Sequence, residues 1–131
     1  MTQEEKQLLL KDLCARLPYG FKAHIIGDGF YDEREPYDTN ISITNHHLVI
    51  DLYADNGLTV LPYLRSLRNI TDEEMKELEK DEKLIFAVST NGLVEATQYG
   101  FDWLNVHHFD YRGLIEKGLA FEAPDGMYKE K

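Results

Sequence analysis

Along the chain the hydrophobic positions change period, and each change marks a predicted element. Leu10, Leu13, Cys14 and Leu17 fall at i, i+3, i+4 and i+7 with Leu9 beside them, the single apolar stripe of a helix that packs on a core. Thr2 followed three residues later by Glu5 forms a capping box at its start, and Pro18 with Gly20 stops it. From Phe21 to Ile26 the period falls to two, with Phe21, Ala23 and Ile25 on one face and Lys22, His24 and Ile26 on the other, as in a strand. Asn40 to Thr44 and His47 to Ala54 alternate in the same way and predict two more strands joined by Asn45-His46. Leu58 to Leu67 is apolar but contains Pro62, which fits either an edge strand or a broken helical turn.

The second half reads as more helical. Thr71 with Glu74 repeats the capping box and opens a surface helix whose apolar edge is only Met75 and Leu78. Leu84 to Val88 fits a strand or a continuation of that helix, and Asn91-Gly92 is a hairpin-type turn. Phe101 to Phe109 predicts a helix capped by Asp102 with Trp103, Val106 and Phe109 inward. Gly113 interrupts or ends that helix, Leu114, Ile115 and Leu119 continue an apolar edge with Gly118 near the usual helix stop, and after the turn at Pro124-Asp125-Gly126 the charged tail is expected to fray. The pattern predicts one α+β domain over 1–131: an N-terminal helix, a small mostly antiparallel sheet, and helices of the second half packed on one face.

Composition supports folding and narrows the partners. A chain of 131 residues, 43% hydrophobic, can bury a real core without staples, and its one cysteine forms no internal disulfide. The net charge of −10 disfavours direct binding to nucleic acid or anionic membrane, which relies on basic side chains. That charge is local: residues 28–38 and 72–83 each carry −4, while 39–71 are neutral. There is no run of about 20 apolar residues to span a bilayer, and Glu4 and Glu5 stand where a signal peptide is basic, so a cytoplasmic location is expected.

Candidate chemistry is sparse. The pairs His46-His47 and His107-His108 lie near Asp51, Asp102 and Asp110, yet adjacent residues diverge on a helix or strand, so each pair can offer a site one imidazole. Cys14 on an apolar stripe reads as a small buried hydrophobe rather than a nucleophile, and Ser42, Ser66 and Ser89 lie in no nucleophile elbow. Gly27-Asp28-Gly29 is a fragment of a phosphate loop followed by acids that would repel phosphate. Asp28, Asp32, Glu33 and Glu35 could surround a hard cation but lack the spacing of a calcium loop, and a solvated contact surface is the simpler reading. Trp103, His107, His108, Phe109, Tyr111 and Arg112 form the densest constellation, with Trp103 and Phe109 assigned to the core and Tyr111 and Arg112 to a contact surface.

DWLNVHHFDYRGLIEKGLAFEAPDGMY, QLLLKDLCARLPYG near the start, and PYLRSL followed by ITDEE resemble a group of small uncharacterised proteins of gut Bacteroidetes, often linked to phage or mobile elements. The resemblance implies kinship and carries over no catalytic residue. The leading expectation is a non-enzymatic protein-binding accessory module without cofactor or metal, with Asp28, Asp32, Glu33, Glu35, Tyr111 and Arg112 as contacts. Two alternatives are a metal-dependent enzyme using His46 or His47 with His107 or His108, and an acidic decoy for a DNA-binding protein.

Overall fold

The structure, a computed structural model, describes residues 1–27, 29, 35–54, 57–82 and 94–128, with the backbone alone of 86–88. Asp28, Asp32 and Glu33, the pair Asp55-Asn56, the start of the 84–88 segment and the Asn91-Gly92 turn lie outside the described residues.

Helix α1 (Gln3–Arg16) begins as its capping box directs: Thr2 accepts from the Glu5 N–H, and the Glu5 carboxylate accepts from the Thr2 N–H. At the other end the N–H of Gly20 reaches the Arg16 carbonyl with φ +77°, a left-handed helix end that favours glycine. Strand β1 (Phe21–Gly27) follows and pairs antiparallel with β2 (Tyr37–Ile41) and with β3 (Leu58–Ser66). Two short parallel strands, β6 (Phe109–Asp110) and β7 (Phe121–Glu122), add to the C-terminal part of β3, while β4 (Phe86–Val88) and β5 (Val94–Ala96) form a separate hairpin. The result is an α+β fold with a mostly antiparallel sheet, as the pattern predicts.

One sheet face is covered by α1 and α2 (His47–Tyr53). Leu9 and Leu13 of α1, Leu48, Val49 and Leu52 of α2, and Phe21, Ala23, Ile25 and Val60 of the sheet share one buried cluster. A second cluster, Trp103, Leu104, Phe109 and Tyr111, lies where α4 (Gln98–Val106) meets β6. The opposite sheet face carries Lys22, His24, Asp38, Leu61 and Tyr63, the other half of the two-residue alternation.

Several boundaries differ from the sequence pattern for identifiable reasons. The segment expected as a strand over His47 to Ala54 is instead α2 with Ala54 as its C-cap; Leu48 and Leu52 satisfy both a period of two and an i, i+4 spacing, and buried Val49 with exposed Ile50 decides for the helix. β2 therefore starts at Tyr37, upstream of Asn40, and Ser42 caps a 3₁₀ turn over Ile43–Asn45. Pro62 is tolerated inside β3 because it shares the parity of Leu64, whose carbonyl accepts from Ala123. Its missing N–H thus falls on the β7 side, where pairing begins only at Tyr63. α4 starts at Gln98, with Thr97 rather than Asp102 as its cap, which leaves Val106 exposed and Phe109 beyond the helix in β6. After it, the Asp110 carboxylate accepts from the N–H groups of Arg112, Leu114 and Ile115, and this side-chain turn takes the place of the expected helical edge.

The tail does not fray before Tyr128. Its hydroxyl donates to the Tyr63 carbonyl at 2.7 Å and accepts from the Lys22 N–H at 2.8 Å, bridging β3 and β1. Burial pushes this phenol up to about 12. Tyr128→Phe is expected to leave those two backbone groups unpaired and to cost about 1 to 3 kcal/mol. Urea unfolding of the two proteins measures it, and equal stabilities would show the bridge to be idle.

Candidate functional site

The residues expected to make contacts are distributed differently from the pattern. Glu35 is exposed, but Tyr111 is only 7% exposed and cannot serve as a contact residue. Its hydroxyl donates to Asn105 Oδ1 at 3.0 Å, and the guanidiniums of Arg16 and Arg112 approach its ring at 5.3 and 4.8 Å. Arg112 is likewise committed, donating from Nε to Asp12 at 3.1 Å. The centre of this group is a fully buried pair: Arg16 donates from Nε and Nη2 to the two carboxylate oxygens of Asp12, and Nη2 also reaches the Phe109 carbonyl at 2.8 Å. The pattern missed it because the α1 stripe is rotated, with Leu9, Asp12, Leu13 and Arg16 buried. An acid and a base at i, i+4 on the same face as two leucines was the available signal.

That rotation turns Cys14 outward, against the expectation of a buried thiol. The surface around it is apolar. Between α1 and α2 runs an open groove of about 460 Å³, walled by Leu10 and Cys14 on one side and Val49, Ile50 and Tyr53 on the other, with Lys11 the one cation of its lining. Ile50 is 54% and Tyr53 69% exposed, and Ile43, just before α2, is 61% exposed. In a strand over 47–54 Ile50 would share the face of Leu48 and Leu52; in the helix it turns outward into this surface.

The histidines are dispersed among separate partners. His46 Nδ1 contacts the Ile43 carbonyl at 2.8 Å, and His47 is exposed on the first turn of α2. His107 lies between Glu74 and Glu77, its Nδ1 3.2 Å from Glu74. His108 adopts φ +63° and stacks on the Tyr128 ring with centroids 3.6 Å apart. Burial, and after it the positive charges of Arg16, His107 and Arg65, lower this imidazole to about 4. Among the described residues no three His, Cys, Asp or Glu side chains converge as metal ligands.

Two further clusters contain chemistry the pattern did not single out. On the sheet face opposite the helices, His24 Nδ1 and the Tyr63 hydroxyl both meet Asp38 Oδ1, at 2.7 and 2.8 Å, and the His24 hydrogen bond first, then that of Tyr63, holds this carboxyl below its usual range. A carboxylate-oriented imidazole is half of a nucleophile-and-base arrangement; among the described candidates the hydroxyls of Ser42 and Ser66 are spent capping 3₁₀ turns and Cys14 belongs to the helical layer, while Ser89 lies outside the described residues. The second cluster lies under α3 (Asp72–Lys80). Arg65 donates to both Glu74 oxygens at 2.7 and 2.6 Å, and Trp103 Nε1 donates to Glu77 at 3.0 Å. Burial alone would raise Glu74, but the Arg65 and Thr71 hydrogen bonds outweigh it and bring the carboxyl to about 2.

Comparison with known protein families, curated proteins and solved structures yields no match.

Proposed function

We propose that this chain is a non-enzymatic protein-binding module and that it docks through the α1–α2 groove. The observation that carries the reading is the uncovered apolar surface of Ile50 and Tyr53 in a groove also lined by Leu10, Cys14 and Val49. Contiguous apolar surface of this kind on a folded chain marks an interaction site, since leaving it in water forgoes about 25 cal/mol for each Å² that a partner could bury. A trough between two helices fits the apolar face of a third helix. Lys11 sets the polarity of the occupant: on a chain of net charge −10, this groove offers a cation, and the partner helix carries a carboxylate where it meets that ammonium.

This reading moves the contact surface away from Tyr111 and Arg112, and it differs from an acidic decoy in its response to salt. Burial of apolar area is retained at high ionic strength, whereas a charge-driven complex weakens steeply. A photo-crosslinking amino acid placed at position 53, with the exposed position 117, outside both the groove and α3, as control, tests it in the producing cell. The expected result is one crosslinked partner at 53, absent at 117, lost in Ile50→Asp and retained at high salt. No crosslink at 53, or the same products at both positions, would reject the groove as the docking surface.

A further inference from the structure

Beneath α3 lies a set of side chains that also hold contacts to the rest of the fold. The Arg65 guanidinium stands over the Phe109 ring, 4.2 Å from its centroid, while Nη1 donates to the His107 carbonyl at 3.2 Å and Nη2 to the Asn69 carbonyl at 3.4 Å. The His107 imidazole packs on Trp103 with centroids 4.3 Å apart, and Trp103 itself belongs to the second buried cluster. A forked guanidinium, an imidazole and an indole N–H are thus fixed by the body of the fold and directed to one place. Such a fork matches a carboxylate bidentately, and the flanking donors add direction.

What they meet is α3, which does little to hold itself there. None of its residues is buried, and Met75 on its apolar edge is exposed. Leu78 packs against the second cluster, and among the described residues the polar attachments run through two side chains: Glu74 to Arg65 and His107, and Glu77 to Trp103 and His107. A helix fastened by carboxylates rather than by apolar burial is expected to open locally, at a free energy below that of global unfolding.

We propose that Arg65, His107 and Trp103 form a carboxylate-recognition site that α3 occupies in cis, and that α3 lifts to admit a glutamate- or aspartate-rich segment of a partner protein. Lifting also carries away the acids of residues 72–82, which otherwise screen the site from an acidic partner. The low value of Glu74 accords with a carboxylate that is bound rather than merely exposed. This surface is distinct from the α1–α2 groove, so the two readings stand or fall separately.

Native-state hydrogen exchange on the full chain tests the opening, and a synthetic peptide of residues 71–82 tests the site. The α3 amides are expected to exchange about tenfold or more faster than those of β1 and β3, and faster still at high salt. In Glu74→Gln/Glu77→Gln, where glutamine preserves the capping box but removes both charges, the weakened contact in cis is expected to yield to the fully charged free peptide, read by the fluorescence of Trp103, the chain's one tryptophan. Adding Arg65→Lys keeps the charge, removes the fork and is expected to abolish uptake, and a peptide with glutamine for every glutamate is expected not to bind. Exchange of α3 at the rate of β1 and β3 would overturn the proposal. So would a folded Glu74→Gln/Glu77→Gln protein that takes up no peptide.

Discussion

Replacing Asp12 by alanine is expected to destabilise the protein by about 3 to 5 kcal/mol, a large share of the 5 to 15 kcal/mol typical of a domain. The magnitude follows from what is left behind. Arg16 is fully buried, always charged, and receives both of its Asp12 contacts from the same carboxylate. Without that carboxylate an uncompensated guanidinium is left fully buried with the Phe109 carbonyl and the Tyr111 ring near it, and Arg112 loses the same partner. Removing the positive member as well should therefore repair part of the damage: Asp12→Ala/Arg16→Met is expected to be more stable than Asp12→Ala alone. Recovery stays incomplete because the Phe109 carbonyl loses its donor and Arg112, left with the Tyr111 hydroxyl and ring, still lacks its carboxylate. Urea unfolding of the wild type and the two variants decides this. A loss below about 1 kcal/mol in Asp12→Ala would mean that the pair is not buried as described.

That pair also shows where the sequence was and was not informative. Features that depend on neighbours a few residues away were legible: the capping boxes at Thr2 and Thr71, the alternation of Phe21 to Ile26, and the stop at Gly20. Each has a local cause that the final packing does not overrule. The face that a helix buries was not legible, because two leucines, an acid and a base on one side of α1 read as half polar until Asp12 and Arg16 are seen to neutralise each other. Residues 47–54 failed for a different reason. Over so short a segment Leu48 and Leu52 fit both periods, and only the sheet beneath shows that Ile50 points outward. The apolar groove, the Trp103–Glu77 contact under α3 and the anchoring of Tyr128 all join segments more than 25 residues apart, which no local pattern contains.

Acidification from about pH 6.5 to about pH 4 is expected to remove about 3 kcal/mol of stability through His108 alone. In the folded chain its imidazole is lowered from the usual 6.5 to about 4, by burial first and by Arg16, His107 and Arg65 after it. Above 6.5 both the folded and the unfolded chain hold it neutral, and its contribution is complete. Between 6.5 and 4 only the unfolded chain takes up the proton, so stability falls by about 1.4 kcal/mol per pH unit over roughly 2.5 units. Below about 4 both states are charged and this loss ends. Glu74 then takes over in the same direction: its carboxyl lies at about 2 rather than 4.5, so what it contributes is present above 4.5 and lost as pH falls toward 2. His108→Asn separates the two, because asparagine tolerates the left-handed φ of +63° and does not titrate. The variant should be less stable at neutral pH, having lost the ring stacked on Tyr128, but its stability should be flat where the wild type falls. Urea midpoints measured at intervals from pH 7 to pH 3 give both curves. An unchanged slope between 6.5 and 4 in His108→Asn would place the acid-labile proton on another group.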